Sequence, residues 1–334
     1  MKGRPAPARP AMSSIQPHAL PLRPGLARGV WNGVGAGALW GLVFLAPQLL
    51  SGFSPLQQSV ARYLAYGGLA LALLLPRWQA ATGRIGRREW AALLRLSLLG
   101  NLLYFVLLAS AIHYAGGAAT ALIVGLVPVV VTVAGAGRGS GPGLRALAGP
   151  CLLSLAGVAL IATDAMLAGR GMAAAPGARL AGLLCATGAL LSWSAYSVSN
   201  ARWLQRRPDI SGRDWSLLTG VATGALALLL ALPAFLGGPA HPGPAWLRFW
   251  VLSSGLALLA SVLGNACWNR ASRLLPLSLA GQMIVFETVF ALLYGFAWER
   301  RLPGPVELLA IACLLAGVLC CARLHARPAP LHAD

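Results

Sequence analysis

Ten long apolar runs, separated by short breaks, are the feature of this sequence that most restricts its fold. About 20 apolar residues carry a helix across the roughly 30 Å hydrocarbon core of a bilayer. Only 10% of the 334 residues are charged, whereas a soluble domain carries about 25%. The sequence therefore predicts an all-α polytopic membrane protein with ten transmembrane helices. The runs lie near residues 30–50, 56–76, 92–112, 118–136, 146–167, 180–200, 215–236, 247–269, 277–298 and 305–323.

The basic residues lie between the apolar runs rather than in one patch. The chain has 26 Lys and Arg against 8 Asp and Glu, a formal charge of +18, which by itself is compatible with a nucleic-acid partner. In a ten-helix layout, nineteen of the basic residues fall on one side of the membrane and five on the other, and two, Arg62 and Arg95, lie within or at the edge of helices. Such a bias is expected when cytoplasmic loops are enriched in Lys and Arg. We therefore predict no nucleic-acid partner, a bacterial cytoplasmic (inner) membrane location, and two cytoplasmic termini.

The two halves of the chain resemble each other. Residues 111–128 and 271–288 have the same length, and each stretch covers the end of one run, a turn and most of the next run. Because each half has an odd number of helices, the second copy enters from the opposite side. The pattern predicts two inverted five-helix repeats with a substrate site near the midplane between them. The predicted units are a disordered basic cytoplasmic arm at 1–28, repeats at 29–168 and 180–323, and a cytoplasmic tail at 324–334.

Glu287 stands near the middle of the apolar stretch 281–299. A charged side chain at that depth costs on the order of 2.5–3.5 kcal/mol on insertion scales, so it is rarely left facing lipid. At helical spacing it shares one stripe with four large side chains, namely Met283, Phe290, Tyr294 and Trp298. The stripe predicts an acid on an aromatic wall that faces a polar or hydrated cavity.

Arg62 is a second ionisable residue well inside an apolar run. Such residues are functional candidates by default, with a structural ion pair as the alternative. Polar and aromatic residues on other helices are candidates for the same lining. The alternatives for them are interhelical hydrogen bonds for the amides and interfacial belts for Trp and Tyr. With Glu287 and Arg62, the predicted substrate-binding or coupling residues are Trp40, Tyr104, Trp268, Tyr294, Asn265 and Gln48.

Gly33, Gly37 and Gly41 form a row of small residues on the first predicted helix. Close approach of two helix backbones needs small residues at the contact. The row therefore predicts a packing surface for another helix of the same chain.

Short motifs stand in both halves of the chain, at Trp40-Gly41, Arg62, Pro128, Phe286-Glu287, Glu299 and 314–318. Together they resemble the drug/metabolite transporter superfamily, of the EamA-like kind, over roughly residues 30–323. The resemblance implies a secondary transporter of small molecules, commonly an exporter. The sequence departs from the family pattern at Thr288, where proline often follows the glutamate, and at Trp298, where glycine often precedes Glu299. The first departure removes the usual kink and leaves the shape of helix nine open.

Three classes of function compete for a chain of this composition: a transporter, a membrane-embedded enzyme such as a lipid-linked transferase or an intramembrane protease, and a non-transporting scaffold or channel subunit. Catalysis needs clustered acids, bases or metal ligands, and the histidines show no HExxH spacing. A scaffold needs neither Arg62 nor Glu287. We therefore predict a transporter rather than an enzyme, without cofactor or metal, working as a monomer or homodimer.

The predicted transporter exports a small amphiphilic metabolite, amino acid-like or drug-like, by alternating access. Two roles remain open for its charged residues. Glu287 can carry a proton that is coupled to the substrate. Alternatively, Arg62 and Glu287 together clamp a zwitterion, with the guanidinium on a carboxylate and the glutamate on an ammonium group.

Overall fold

The computed structural model describes residues 24–115, 117–136, 142–167, 176–236 and 241–326. Within these ranges all regular secondary structure is helical. The helices of the first part of the chain are α1 (Pro24–Gly41), α2 (Ala46–Leu49), α3 (Pro55–Leu74), α4 (Trp78–Thr82), α5 (Arg87–Ser97), α6 (Leu103–Ala115), α7 (Gly117–Val124), α8 (Val127–Gly135) and α9 (Leu144–Leu167). Those of the second part are α10 (Pro176–Arg206), α11 (Gly212–Phe235), α12 (Gly243–Leu256), α13 (Asn265–Leu274), α14 (Leu277–Met283), α15 (Val285–Glu299) and α16 (Pro305–Ala326).

Eight helical stretches in the described part of the chain are long and apolar enough to cross a membrane. Their surfaces are apolar as well: Leu184 is 64% exposed, Leu229 is 74% exposed and Leu319 is 58% exposed. Leucines exposed in this way suit a hydrocarbon solvent, because contiguous apolar surface is rare on soluble monomers. The prediction of an all-α polytopic membrane protein is confirmed. The stretches are Leu56–Thr82, Arg87–Ile112, Leu144–Asp164, Gly177–Arg206, Gly212–Phe235, Gly243–Leu274, Leu277–Glu299 and Pro305–Ala326.

The predicted basic arm at 1–28 overlaps the first helix. Helix α1 begins at Pro24, so the end of the predicted arm is helical. The arm before residue 24 and the predicted tail from residue 327 onward lie outside the described residues.

Two π-helical segments interrupt long helices at similar places in the two parts of the chain. Leu98–Leu102 joins α5 to α6, and Ala257–Gly264 joins α12 to α13. Each segment offers a carbonyl to a neighbouring helix. The Ser192 hydroxyl of α10 donates to the Leu99 carbonyl at 2.8 Å, and the Trp40 indole of α1 donates to the Ala260 carbonyl at 3.1 Å. Departures from α-helical hydrogen bonding are frequent at functional sites.

Helices from the first part of the chain pack mainly against helices from the second part. The principal pairs are α3 with α11, α9 with α16, α6 with α10, α8 with α14, and α1 with both α13 and α15. The interior therefore lies at the boundary between the two parts of the chain, and residues distant in sequence meet there.

The glycine row of α1 packs against α14 and α15, and this confirms the predicted packing surface. A Cβ at Gly33 would lie 2.7 Å from Met283, one at Gly37 would lie 2.5 Å from Phe286, and one at Gly41 would lie 2.9 Å from Phe290. Only glycine permits so close an approach.

The predicted aromatic wall beside Glu287 is wrong, because much of that stripe packs against α1. Met283 and Phe290 contact the glycine row. The Tyr294 hydroxyl donates to the Ala38 carbonyl at 3.0 Å, and Trp298 is 51% exposed. Periodicity identified the stripe but could not tell whether its neighbour was a helix or a cavity.

The ninth predicted helix, near residues 277–298, was left open in shape by the sequence. In the structure it is interrupted. Helix α14 ends at Met283 and α15 begins at Val285, so the break at Ile284 precedes Glu287 without any proline at position 288.

Candidate functional site

A cavity of about 280 Å³, here called the central cavity, lies between the two parts of the chain. On α3 its lining begins at Gln58 and reaches Tyr63, and on α6 it continues as far as Ile112. Arg77 and Arg87 lie at the other ends of these stretches. The central cavity therefore occupies the half of the bundle away from the connection of α3 to α5, at which Arg77 and Arg87 lie. Its polar and aromatic lining residues are Trp40, Phe44, Gln58, Ser59, Arg62, Tyr63, Asn101, Tyr104, Phe105, Trp193, Tyr196, Ser253, Asn265 and Glu287.

Arg62 projects from α3 into this cavity. Its Nε donates to the Ser261 hydroxyl at 3.1 Å, and its guanidinium lies 5.4 Å from the centre of the Tyr63 ring. Ser261 belongs to the π-helical segment Ala257–Gly264. One hydrogen bond uses a small part of the five donors of a guanidinium. The remaining donors are available to an anionic or polar group in the cavity.

Glu287 lines the same cavity from α15. Among the described residues its carboxylate makes no salt bridge, and no side chain or backbone group donates a hydrogen bond to it. Arg62 and Glu287 therefore do not form the structural ion pair that was the alternative for them. An ionisable pair left unsatisfied at membrane depth is expensive unless water or a ligand fills the space between its members.

A second cavity of about 560 Å³, here called the side cavity, adjoins the first. It lies between α7–α8 on one side and α14–α15 on the other, with α9 behind it. Aliphatic residues make up most of its lining, including Val124, Val158, Ile161 and Leu292. Both cavities are lined by Phe44, Tyr104, Leu108, Ile112, Trp193 and Glu287.

Three tryptophans form a cluster at the central cavity. The Trp40 ring lies 5.9 Å from Trp193 and 5.4 Å from Trp268, and Trp193 lies 5.9 Å from Trp268. Trp40 and Trp193 line the cavity, whereas Trp268 lies behind them. Tyr104 lines both cavities, with its ring 6.4 Å from Trp193. Aromatic faces beside a carboxylate suit a substrate that has an apolar part and a cationic group.

The other predicted lining residues fall into different places. Asn265 lines the central cavity, and its amide donates to the Tyr66 hydroxyl at 3.4 Å. Tyr294 ties α15 to α1 and lines neither of the two cavities. Gln48 lies on α2, and its side chain is outside the described part of the chain.

Sequence reasoning missed Ser59 and Tyr63 in the lining. Both lie on the helix that carries Arg62, three residues before it and one after it. Helical spacing from Arg62 is the signal that would have pointed to Ser59, because residues three apart share a face.

Tight packing closes the opposite end of the site. A Cβ at Gly281 would lie 2.6 Å from the Thr132 backbone nitrogen, and one at Gly135 would lie 2.3 Å from the Ser278 nitrogen. The fully buried Gln282 amide accepts from Ser154 at 2.9 Å and donates to Thr132 at 3.2 Å. Helices α8 and α14 are therefore in backbone contact, with their polar groups satisfied.

An ionic network covers this closed end, here called the arginine-rich end. Arg207 donates two hydrogen bonds to Asp209 at 2.9 and 2.8 Å, one to the Arg84 carbonyl at 2.7 Å and one to Glu89. Arg273 donates to the Arg207 and Ile210 carbonyls. The Arg207 guanidinium holds the pKa of the Asp209 carboxyl below its ordinary value. The network joins the two parts of the chain.

Comparisons with known proteins agree with this architecture. The sequence profile of the EamA-like transporter family matches residues 27–163 and 180–323. The chain is 32% identical over 308 residues to the inner membrane protein YtfF of Escherichia coli (strain K12), covering 88% of this chain and 95% of YtfF. One solved crystal structure has the same fold, with a TM-score of 0.68 at 22% identity over 90% of this chain and 98% of the other. The chain therefore belongs to the EamA-like transporter family, within the drug/metabolite transporter superfamily.

Proposed function

We propose that this chain is a secondary transporter that exports a small amphiphilic metabolite, amino acid-like or drug-like, across the bacterial inner membrane. The observation that carries the proposal is that Arg62 and Glu287 line one cavity without forming a salt bridge with each other. Their opposite charges are free to receive a ligand, and the cavity is closed at the arginine-rich end. A relative described as an inner membrane protein supports the location.

Ten membrane crossings in two inverted repeats, at 29–168 and 180–323, form the frame of this proposal. The eight apolar stretches are joined by two further helical segments, α1–α2 and Ala119–Gly135. If α3 corresponds to α11, and α9 to α16, each of these pairs joins equivalent helices. The contact of α6 with α10 then becomes the contact of α13 with α1 when the repeats are exchanged. Such exchange is expected of an inverted repeat.

The polar contacts around the π-helical segments support the same frame. Arg62 of α3 donates to Ser261 in one segment. Asn101 in the other segment donates to the Thr223 hydroxyl of α11 at 2.9 Å. The two contacts connect equivalent pairs of helices, and the residue that contacts the π-helical segment is an arginine of α3 in one case and a threonine of α11 in the other. This asymmetry makes Arg62 the residue with spare donors.

The positions of Gly135 and Gly295 support alternating access. The register that aligns 111–128 with 271–288 also aligns Gly135 with Gly295. Gly135 is in contact with Ser278, whereas nothing lies within 4 Å of a Cβ at Gly295. Exchanging the conformations of the two repeats would close the helices at Gly295 and part them at Gly135. The transporter then alternates between one open end and the other around a fixed site.

Both termini are cytoplasmic in this proposal, with the arginine-rich end facing the cytoplasm. The excess of Lys and Arg on that side of the layout supports the orientation. The central cavity then faces outward, in the state that releases an exported substrate. The transporter works as a monomer or homodimer.

Transport by purified protein in liposomes tests the proposal. A metabolite panel is first screened by thermal stabilisation, because a ligand at 100 times its Kd adds about 2.7 kcal/mol to the free energy of unfolding. Ligands that stabilise the protein are then loaded into proteoliposomes and their flux is measured. We expect flux well above that of empty liposomes for at least one stabilising ligand. Stabilisation without any flux or counterflow would contradict a transporter and favour a non-transporting membrane protein.

A further inference from the structure

The side cavity lies beyond the closed crossing of α8 and α14 and reaches open space at Gly295. Near Gly125 the helices are still close to α9, since a Cβ there would lie 2.4 Å from Val158. One helical turn after Leu292, at Gly295, the space is open. The side cavity is therefore a slot between two helices that meet at one end only, and its volume of about 560 Å³ is twice that of the central cavity.

Aliphatic residues line most of the side cavity, and Thr120 and Thr288 are polar residues in its lining besides those it shares with the central cavity. Val124, Val158, Ile161 and Leu292 line its body, and Glu287 is the charged residue among its described lining. An apolar group that enters such a space from water gains about fourfold in affinity for each methylene it buries, from about 0.8 kcal/mol per methylene. Water is weakly stabilised in such a space, because an aliphatic lining offers few hydrogen-bond partners.

The boundary between the two cavities joins ionic and apolar chemistry. Glu287, Tyr104 and Trp193 belong to both linings, and Arg62 lies on the central side alone. A molecule that spans the boundary would place a charged head among Glu287, Arg62 and the aromatic rings. Its apolar part would then point between α7 and α15.

We propose that the side cavity is the substrate's apolar subsite, and that it takes a linear alkyl or aryl group attached to a charged head in the central cavity. The proposal rests on the transport function proposed above. A phospholipid tail has similar chemistry. The shared boundary at Glu287 favours the substrate, because a carboxylate beside a lipid tail would have no cationic partner on that side. Gly295 sets how long an apolar group fits.

The test is a chain-length series measured by binding rather than by transport. The probes are linear 2-amino carboxylic acids of three to eight carbons and linear 1-alkylamines of the same lengths, with Kd measured by titration calorimetry. We expect wild type to gain about fourfold in affinity per added methylene until the side cavity is filled. Gly295→Leu should fold, since a Cβ there meets open space, and should lose the gain for the longer probes.

Two further variants complete the design. Gly68→Leu is the matched control, because a Cβ at Gly68 also meets open space and Gly68 lines neither cavity. We expect it to follow wild type. Leu292→Ala enlarges the side cavity, so we expect the gain in affinity to continue to longer probes.

The slope of affinity against chain length distinguishes a filled apolar subsite from a shift in the conformational equilibrium. A variant that merely shifts the balance of open and closed states changes all Kd values by one factor and leaves the slope unchanged. An unchanged slope in Gly295→Leu, or no binding of either series to wild type, would overturn the apolar subsite. Native mass spectrometry that finds a phospholipid on wild type and loses it in Gly295→Leu would assign the cavity to lipid instead. Flux of another ligand in liposomes would leave the transport function standing in each case.

Discussion

The same pair of interrupted helices touches at one end of the molecule and parts at the other. At the arginine-rich end, α8 and α14 are so close that a Cβ at Gly135 or Gly281 would overlap backbone atoms. At the other end, α7 and α15 leave room for the side cavity, and Gly295 has open space around it. In the inverted repeats proposed above, Gly135 and Gly295 are equivalent positions. Under that proposal, their different surroundings are a closed and an open packing of the same position in the repeat.

The arginines at the two ends also differ in how many hydrogen bonds they make with the protein. Arg207 donates hydrogen bonds to Glu89, to Asp209 and to the Arg84 carbonyl. Arg62 donates one hydrogen bond, to Ser261. An arginine whose N–H donors are bonded to acceptors of the protein stabilises the fold. An arginine with spare donors facing a cavity is available to a ligand.

The largest effect is expected at Arg62. Arg62→Ala should lower transport by about 100-fold, because charge-assisted hydrogen bonds of about 1.5–3 kcal/mol to the substrate are lost. Flux into proteoliposomes and size-exclusion chromatography measure transport and folding separately. Arg95→Ala is the control, because Arg95 also lies within a spanning stretch but is exposed and lines neither cavity. Unchanged half-saturation and flux in Arg62→Ala would make Arg62 structural.

The closed end and the open end should respond differently to an added methyl group. Gly281→Ala places its Cβ 2.6 Å from the Thr132 nitrogen, and overpacking of this kind costs about 1–3 kcal/mol. We expect the arginine-rich end to open more often, with maleimide labelling of Ser154→Cys about tenfold faster in a cysteine-free background. Gly295→Ala meets open space in this conformation and should not raise that labelling rate, because in the proposed alternate state the added methyl group would hinder closure at Gly295. Equal rates in both variants would mean that the glycine contact does not close this end.

The ionic network should make a smaller contribution to closure. Arg207→Ala removes the hydrogen bonds from Arg207 to Glu89 and to the Arg84 carbonyl. We expect labelling of the same cysteine to rise only about fivefold, because exposed ion pairs contribute little to stability. Arg202→Ala provides the comparison, because Arg202 is exposed near the end of α10, which Arg207 directly follows. A rate in Arg207→Ala no higher than in Arg202→Ala would restrict closure to the helix packing.

The smallest effect is a pH dependence confined to acid. Arg207 lowers the pKa of Asp209 from an ordinary value of 3.8. A lowered pKa means that the stabilisation is complete above the unfolded pKa and is lost as pH falls through the folded one. Closure at the arginine-rich end should therefore be constant from pH 8 to about 5 and weaken below about pH 4. Labelling rates across this range measure it when each is divided by the rate of a freely exposed cysteine at the same pH, because maleimide reacts with the thiolate, whose fraction itself falls with pH. A change in this ratio centred near neutral pH would exclude Asp209 as its origin.

Much of the site was predictable from sequence because membrane burial makes charge conspicuous. Arg62 and Glu287 stand out in apolar runs, and the glycine row of α1 indicated a close helix contact. The closing network was not predictable, because Glu89 and Arg207 lie in different halves and meet only through the fold. The role of Tyr294 was misjudged for a related reason, since periodicity gives a face but not its neighbour. The same reason applies to Trp268, which lies behind Trp40 and Trp193 rather than in the lining.

Gradient-driven transport by Glu287→Gln tests the central claim most directly, namely that the charged residues of the central cavity couple and carry the substrate. Glutamine keeps the shape of the side chain and fixes it in a neutral state. Accumulation of substrate driven by a pH gradient is compared in liposomes that contain wild type, Glu287→Gln or Glu299→Gln, the last because Glu299 lies on the same helix but outside both cavities. We expect Glu287→Gln to bind substrate and exchange it but to lose acceleration by the gradient, while Glu299→Gln behaves as wild type. Equal gradient-driven accumulation by all three proteins would contradict this claim and remove Glu287 from the mechanism.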